Sequence, residues 1–228
     1  MKVGTDGVLL GAWTDHSDAK TILDAGTGSG LIALMLAQRS DAQIDAIDID
    51  ENACRQAEIN FRLSPFASRL HICQGNFVEY TSGYTYDLIV SNPPYFKDSL
   101  KSPDSGRNAA RHTDTLSYSD LFQKSSALLS EKGRLSVILP VDIFENMQHI
   151  ADANDFYLIR KTTVRPLENH PPKRVLLEFS KEKSELKENE IFIEKSRHVY
   201  SDEYIELTKA YYLERHSGFS IVKSSDFN

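Results

Sequence analysis

The hydrophobic positions of the chain alternate between short, almost continuous apolar runs and longer segments with helical spacing. The short runs predict buried strands, at residues 21–25, 44–49, 70–73, 86–91 and 135–139. The longer segments predict helices, at residues 31–39, 51–63 and 117–129. Lys132 and Gly133 are expected to separate the last of these helices from the strand that follows it. Strands and helices that alternate in this way build parallel βαβ units, so the pattern predicts an α/β fold with a doubly wound sheet.

The rest of the chain is expected to close this sheet. A helix follows Pro140, and two apolar runs at 157–164 and 175–179 predict an antiparallel closing pair of strands. The charged segment 181–190 indicates a solvated loop. Beyond it we expect an edge strand and a helix, at 191–193 and 203–213.

Size and composition indicate one globular domain. The chain has 228 residues, of which 40% are hydrophobic and 26% charged, enough to bury a core without disulfides. We expect a single domain over 1–228, with 181–228 an appendage on it. Cys54 and Cys73 have no metal or redox spacing, and no signal peptide or long apolar segment is present. These features predict a cytoplasmic protein that does not enter a membrane.

The net charge of −7 argues against a protein that coats nucleic acid non-specifically, because such binding needs a broad basic surface. It does not exclude a local basic patch above one site. The seven histidines offer no pair at metal-ligand spacing, and we expect no metal.

A glycine-rich turn joins the first predicted strand to the first predicted helix. It reads Asp24-Ala-Gly26-Thr-Gly28-Ser-Gly30, and its glycines let the backbone approach a ligand beside the free N–H groups of a helix start. A dinucleotide fingerprint would place its third glycine at position 31, where Leu31 stands. The acidic strand end and the glycine at position 30 are typical of methyltransferases that bind S-adenosylmethionine.

Other predicted cofactor residues follow the second and third strands. Asp48 ends the second strand, where a carboxylate can accept both ribose hydroxyls. Asn76 and Phe77 follow the third strand and are placed to contact an adenine by an amide and a ring. Structural alternatives remain open, since Asp24 could cap the turn and Asp48 could cap the next helix.

The tetrapeptide Asn92-Pro93-Pro94-Tyr95 follows the fourth predicted strand, where open α/β sheets place their ligand crevice. Two prolines fix the backbone and donate no N–H, so the turn is stiff. The Asn92 amide and the Pro93 carbonyl could accept both hydrogens of a planar amine, and Tyr95 could stack on its ring. The alternative is a proline turn without a chemical role.

These motifs and several others resemble the bacterial tRNA1(Val) adenine-N6 methyltransferase family. The resemblance is carried by residues 3–13, 24–30, 92–96, Arg111, His112, Leu116 and 172–175. It implies a Rossmann-like methyltransferase sheet, S-adenosylmethionine as cofactor, and methyl transfer to the adenine 3′ of the anticodon in valine tRNA. The partner would be the anticodon loop of the tRNA. Separately from the resemblance, we expect the protein to be a monomer. Asn76 departs from the pattern, because related enzymes often have Asp there.

The resemblance also assigns roles outside the glycine turn. Thr5 and Asp6, which could also cap a helix beginning near Gly7, would border the methionine end of the cofactor. Five residues would lie near RNA, namely Phe96, Arg111, His112, Lys173 and Arg174. Arg111 and His112 could equally belong to a solvated loop, and Lys173 and Arg174 could be surface charges. Segment 96–115 is a candidate substrate lid. The family has residues ahead of position 3, so we expect a shortened N-terminal stretch.

Three other functions remain open at this point. Glutamine-N5 methylation of a translation release factor uses the same Asn-Pro-Pro-Tyr, but those enzymes carry an N-terminal helical domain. A ribosomal-RNA amino-methyltransferase is a second possibility. The third is an inactive cofactor- or RNA-binding module that retains the fold, against which the intact tetrapeptide argues.

Overall fold

The computed structural model describes residues 4–94 and 116–212. Nine strands lie in this part of the chain: β1 (Thr21–Ala25), β2 (Gln43–Asp48), β3 (Leu70–Gln74), β4 (Tyr86–Ser91), β5 (Leu129–Pro140), β6 (Tyr157–Leu167), β7 (Arg174–Ser180), β8 (Lys187–Ser196) and β9 (Val199–Tyr200). Six α-helices accompany them: α1 (Thr5–Trp13), α2 (Leu31–Arg39), α3 (Glu51–Leu63), α4 (Tyr118–Leu128), α5 (Phe144–Ala153) and α6 (Asp202–Thr208). Short 3-10 turns occur at Ala67–Arg69, Val141–Ile143 and Lys209–Tyr211.

All nine strands form one sheet in the order β3-β2-β1-β4-β5-β7-β6-β8-β9. Strands β1 to β5 are parallel, whereas β7 is antiparallel to both of its neighbours, β5 and β6. Strand β8 is parallel to β6, and β9 is antiparallel to β8. This is the doubly wound, mostly parallel sheet with an antiparallel closing strand that the hydrophobic pattern predicts.

Successive residues of the central strands point to opposite faces and supply two separate cores. Ile22 of β1 joins a core built with α1, α2 and α3, whereas its neighbour Leu23 joins a core built with α4 and α5. In the second core, the Phe122 ring packs edge-on against Phe156 and Phe179, with centroids 5.2 and 5.0 Å apart. Both faces of the sheet are therefore covered, as a parallel sheet requires.

Strand β5 begins earlier than predicted. Lys132 and Gly133 do not precede the strand but lie within it, and the register with β4 shifts between Tyr86 and Leu88. A Cβ on Gly133 would lie 2.8 Å from the Tyr86 carbonyl oxygen. Glycine marks this close backbone approach at an irregularity in the ladder, and the sequence alone shows it only as a helix stop.

Two further predictions require correction. Residues 187–190, expected in a loop, belong to β8, where Glu188 and Glu190 pair across to Lys161 and Arg165 of β6 at 2.9 and 2.6 Å. Charged residues suit this strand because most of it is exposed. Helix α1 begins at Thr5, and its N-cap Gly4 has no side-chain cap, so neither Thr5 nor Asp6 caps it.

The helices of residues 4–94 and 116–212 are all too short or too polar to cross a membrane. The division into one domain with an appendage stays a prediction.

Candidate active site

A cavity of about 400 Å³ opens at the carboxyl ends of β1, β2, β3 and β4, the edge where doubly wound sheets bind ligands. Its volume lies within the usual range for small-molecule sites. The walls come from the segments that follow these strands and from the start of α4: Ala25, Gly26, Ile47, Asp48, Ile49, Gly75, Asn76, Phe77, Val78, Ser91, Pro93, Pro94, Leu116 and Asp120.

The glycine turn is hydrogen-bonded to β2, and Gly26 and Gly30 have different roles in it. The N–H groups of Gly26 and Thr27 donate to the Ile47 carbonyl at 2.9 and 3.1 Å. Gly26 has φ of +75°, and a Cβ there would meet no atom within 4 Å, so this residue presents bare backbone to open space in the cavity wall. Gly30, with φ of +81°, has a packing role instead, because a Cβ there would lie 2.4 Å from the Phe61 ring.

Asp24 supports the turn from beneath and does not line the cavity. Its Oδ2 accepts hydrogen bonds from the Thr27 hydroxyl at 2.6 Å and the Ala33 N–H at 3.1 Å. Complete burial raises the pKa of Asp24 to about 7, although these two hydrogen bonds act in the opposite direction. Its buried Oδ1 has no hydrogen-bond partner among the described residues. Asp24 therefore caps the glycine turn, which was the structural alternative for this residue.

Asp48 lies in the cavity wall with both carboxylate oxygens held by backbone. Oδ2 accepts from the Gly28 N–H at 2.8 Å, and Oδ1 accepts from the Asp50 N–H at 2.9 Å. Helix α3 is capped by Asp50, whose side chain accepts from the Asn52 N–H at 2.8 Å. The alternative that Asp48 caps this helix is therefore wrong. Each oxygen of an ionised carboxylate has a second lone pair, so Asp48 keeps acceptor capacity for a ligand.

Asn76 and Phe77 lie on the same wall as Asp48. The Gly75 N–H donates to the Asp48 carbonyl at 2.9 Å, which fixes this segment beside β2. The Asn76 Oδ1 accepts from the Val78 N–H at 3.0 Å, and its amide nitrogen makes no hydrogen bond within the described residues. An asparagine here therefore offers donors, where an aspartate would offer acceptors.

Sequence reasoning missed two apolar walls of the cavity. Ile49 and Val78 are 49% and 39% exposed, unusual for such side chains, yet both line this space. Exposed apolar groups in a pocket wall suit a planar ring. Their position was available as a signal, since each follows a residue that was singled out, Asp48 and Phe77.

The segment after β4 is held against the glycine turn. The buried Ser91 hydroxyl donates to the Ala25 carbonyl at 2.8 Å. Asn92 is half-buried, and Pro93 and Pro94 line the cavity beside Gly26. Ser91 and Asp120 also line it and were not singled out from the sequence, and Leu116, which lines it too, was named only as part of the resemblance. Tyr95, Phe96, Arg111 and His112 lie outside the described residues, as does the candidate lid 96–115.

Eight predicted site residues in the described part of the chain do not line the cavity: Thr5, Asp6, Asp24, Gly28, Gly30, Asn92, Lys173 and Arg174. Thr5 and Lys173 are exposed. Asp6 and Arg174, assigned to the cofactor and to RNA, are instead joined to each other by an ion pair, with Arg174 Nε 2.9 Å from Asp6 Oδ2. In residues 4–94 and 116–212 no group of three or more His, Cys, Asp or Glu side chains is arranged to hold a metal ion.

The cavity fits S-adenosylmethionine. It combines a carboxylate with spare acceptor capacity, apolar walls for a ring and a glycine where a Cβ would point into open space. Asp48 would hold the ribose, Ile49, Phe77 and Val78 the adenine, and the turn at Gly26 the amino-acid end.

Comparisons with known proteins agree with this geometry. The family model described as methyltransferase small domain matches residues 4–160. Two relatives named tRNA1(Val) (adenine(37)-N6)-methyltransferase, from Bacteroides fragilis and Parabacteroides distasonis, are 49% and 50% identical over 217 residues, covering 94% of this chain and 92% of each relative. A crystal structure titled as a predicted O-methyltransferase from Agrobacterium tumefaciens superposes with a TM-score of 0.71 at 17% identity, covering 90% of this chain and 96% of that one. At that identity the likeness concerns the fold alone.

Proposed function

The chain belongs to the tRNA1(Val) (adenine(37)-N6)-methyltransferase family, and we propose that it methylates the exocyclic N6 amine of adenine 37 in the anticodon loop of valine tRNA. It is an enzyme with a Rossmann-like methyltransferase fold and uses S-adenosylmethionine. One observation supports the proposed chemistry above the others: Ser91, Pro93 and Pro94, on both sides of Asn92, line the same cavity as Ala25 and Gly26 of the glycine turn. A tRNA substrate would place the reaction in the cytoplasm.

When bound, S-adenosylmethionine supplies a methyl group on a positively charged sulfur. The cavity residues have the task of holding that group beside the segment after β4. Asp48 accepts hydrogen bonds from the ribose, while Ile49 and Val78 exclude water from the faces of the adenine. Because the Ser91 hydroxyl ties β4 to the Ala25 carbonyl, the reacting ends of the two ligands are brought to one place by the sheet itself.

The N6 amine of adenine is a weak nucleophile, and we assign Asn92 and Pro93 the role of activating it. An amine on an aromatic ring has its lone pair delocalised, and hydrogen bonds from both of its hydrogens favour a tetrahedral nitrogen whose lone pair can attack. The Asn92 side-chain oxygen and the Pro93 carbonyl are the two acceptors in this proposal. Both act on charge that develops during transfer, so they stabilise the transition state more than the ground state.

The target base must leave its stack to reach the cavity. In an anticodon loop this costs little, because the bases are single-stranded. Tyr95, by its place in the tetrapeptide, would stack on the base. Phe96, Arg111, His112 and Lys173 remain candidates for the surrounding RNA.

The test is methyl transfer from radiolabelled cofactor to a valine-tRNA transcript. A transcript with guanine at position 37 is the matched control, because it lacks the N6 amine while keeping the loop. We expect label in the first transcript and none in the second. Label that appears instead in release factor or in ribosomal subunits, offered in parallel reactions, would refute this substrate while leaving the methyltransferase assignment intact.

A further inference from the structure

Arg174 lies at the ligand edge of the sheet although its strand runs the opposite way. It is the first residue of β7 and pairs with Pro140, the last residue of β5, and with Val164 of β6. On the other side of β5, Val137 pairs with Ser91 of β4. Arg174 therefore lies two strands away from Ser91 and three residues nearer the carboxyl end of β5. Strand geometry then places it roughly 14 Å from Ser91 in the cavity wall.

The Arg174 guanidinium is engaged with the start of α1. Its Nε lies 2.9 Å from Asp6 Oδ2, and the side chains are only 30% and 23% exposed. Its Nη1 donates to the Lys173 carbonyl at 3.0 Å, which orients the guanidinium group. Asp6 stands in the first turn of α1, where a carboxylate also interacts favourably with the helix dipole.

The start of α1 in turn touches the residue that follows the glycine turn. A Cβ added to Gly7 would lie 3.2 Å from Leu31 Cδ2, which means that α1 and α2 approach closely here. Leu31 begins α2 directly after Gly30. A continuous set of contacts therefore runs from Arg174 through Asp6 and the α1 backbone to the cofactor turn.

The other end of α1 has its own anchors. Trp13 donates through Nε1 to the Thr162 hydroxyl at 2.7 Å, and the Arg160 guanidinium lies 3.6 Å from its ring centroid. These contacts hold the end of α1 distant from the ligand edge. The pair at Asp6 sets how the opposite end lies against the turn.

We propose that Arg174 is a positioning residue for the cofactor site, which acts by holding Asp6 and thereby the start of α1 against the glycine turn. The adjacent Lys173 is exposed and makes no ion pair within the described residues, so it is left as the RNA-facing member of the two. This inference rests on the proposed function because it takes the cavity to be the cofactor site. The resemblance assigns both Lys173 and Arg174 to RNA, whereas this inference gives RNA contact to Lys173 and positioning of α1 to Arg174.

The test measures cofactor-site affinity and RNA affinity separately in the same variants. Calorimetry with S-adenosylhomocysteine probes the first without requiring methyl transfer. Arg174→Gln and Asp6→Asn should each weaken that binding by about 3- to 10-fold, the scale of losing one partly buried ion pair. The double variant should be no weaker than either single one, because both remove the same contact. Arg174→Lys, which keeps the charge but not the guanidinium geometry, should recover part of the loss.

Binding of valine tRNA across a salt series supplies the contrast. Lys173→Gln should leave S-adenosylhomocysteine affinity unchanged and reduce the slope of log affinity against log salt by about 1, as expected for one lost phosphate contact. Arg174→Gln should keep the wild-type slope. Thermal unfolding of each variant shows whether it is folded. If Arg174→Gln does not fold, the near-isosteric change Asp6→Asn still tests the inference.

Three results would overturn the inference: a reduced salt slope in Arg174→Gln with cofactor-site affinity intact, additive losses in the double variant, or wild-type S-adenosylhomocysteine affinity in both single variants. Failure of methyl transfer to valine tRNA would count against the proposed substrate instead, since the calorimetric comparison does not use it.

Discussion

Replacing Asp48 by alanine should weaken S-adenosylmethionine binding without unfolding the protein. The carboxylate has about four lone-pair sites, and the N–H groups of Gly28 and Asp50 occupy two of them. Two remain, one for each ribose hydroxyl. Hydrogen bonds to a charged group contribute about 1.5–3 kcal/mol, and Asp48 is half-buried, so we expect a total loss of about 1.5–3 kcal/mol. That corresponds to an affinity about 10- to 150-fold lower.

Asp50→Ala is the matched control for this prediction. Asp50 is two residues away and also a carboxylate, but its side chain caps α3 through the Asn52 N–H. Its loss should lower the free energy of unfolding by about 0.5–2 kcal/mol and leave cofactor affinity intact.

The assay is calorimetry with S-adenosylhomocysteine and with its 2′-deoxy analogue. Wild-type protein should prefer the ligand that carries both hydroxyls, and Asp48→Ala should lose most of that preference. The reasoning fails if a folded Asp48→Ala protein binds S-adenosylhomocysteine as tightly as the wild type. It fails also if Asp50→Ala reduces affinity by the same factor, since the effect would then belong to the segment and not to the Asp48 carboxylate.

Three further predictions follow from other parts of the site. Gly30→Ala should lower the free energy of unfolding by about 1–3 kcal/mol in urea titrations, because its Cβ would meet Phe61 at 2.4 Å and φ is +81°; an unchanged midpoint would contradict this. The folded-state pKa of Asp24 is raised to about 7, so its contribution to stability is present below pH 4 and lost as pH rises through 7. Asp24→Asn should therefore gain stability relative to wild type between pH 5 and pH 8, and a pH-independent difference between the two would count against the raised pKa. Asn92→Ala should bind S-adenosylhomocysteine and valine tRNA almost normally but methylate about 10²- to 10³-fold more slowly in single turnovers, since its acceptor acts in the transition state; a near wild-type rate would reduce the tetrapeptide to a stiff turn.

Most of the sheet could be predicted because its signals are local. The apolar runs of β1 and β4 are almost wholly buried. Those of β2 and β3 are only partly buried, but a helix with clear periodicity lies between them. The errors fall where tertiary context decides. Gly133 looked like a stop, but the ladder with β4 needs a residue without a side chain there. Lys187 to Glu190 looked like a loop, but Glu188 and Glu190 form ion pairs with cations on β6 that the local sequence does not show.

The same distinction separates the cavity residues that were predicted from those that were not. Asp48, Asn76, Phe77, Pro93 and Pro94 were recognised because each lies at or just after the end of a parallel strand, and strand ends of that kind meet at one edge. Leu116 and Asp120 come to the cavity from the start of α4, and no strand end marks them. The partner of Asp6 was also beyond reach, because 168 residues separate it from Arg174.

The direction of β7 explains why Arg174 reaches this edge. Parallel strands bring to it the residues that follow their last position, which is how the glycine turn and the tetrapeptide meet. An antiparallel strand brings the residues at its beginning to this edge. Arg174 is the first residue of β7 and Lys173 precedes it, so both lie at the ligand edge. Once such a strand is placed beside β5, any charged residue at its first position can interact with the segments around the cavity. In our proposal its role depends on which opposite charge it meets, and Arg174 meets Asp6, with Nε 2.9 Å from Oδ2.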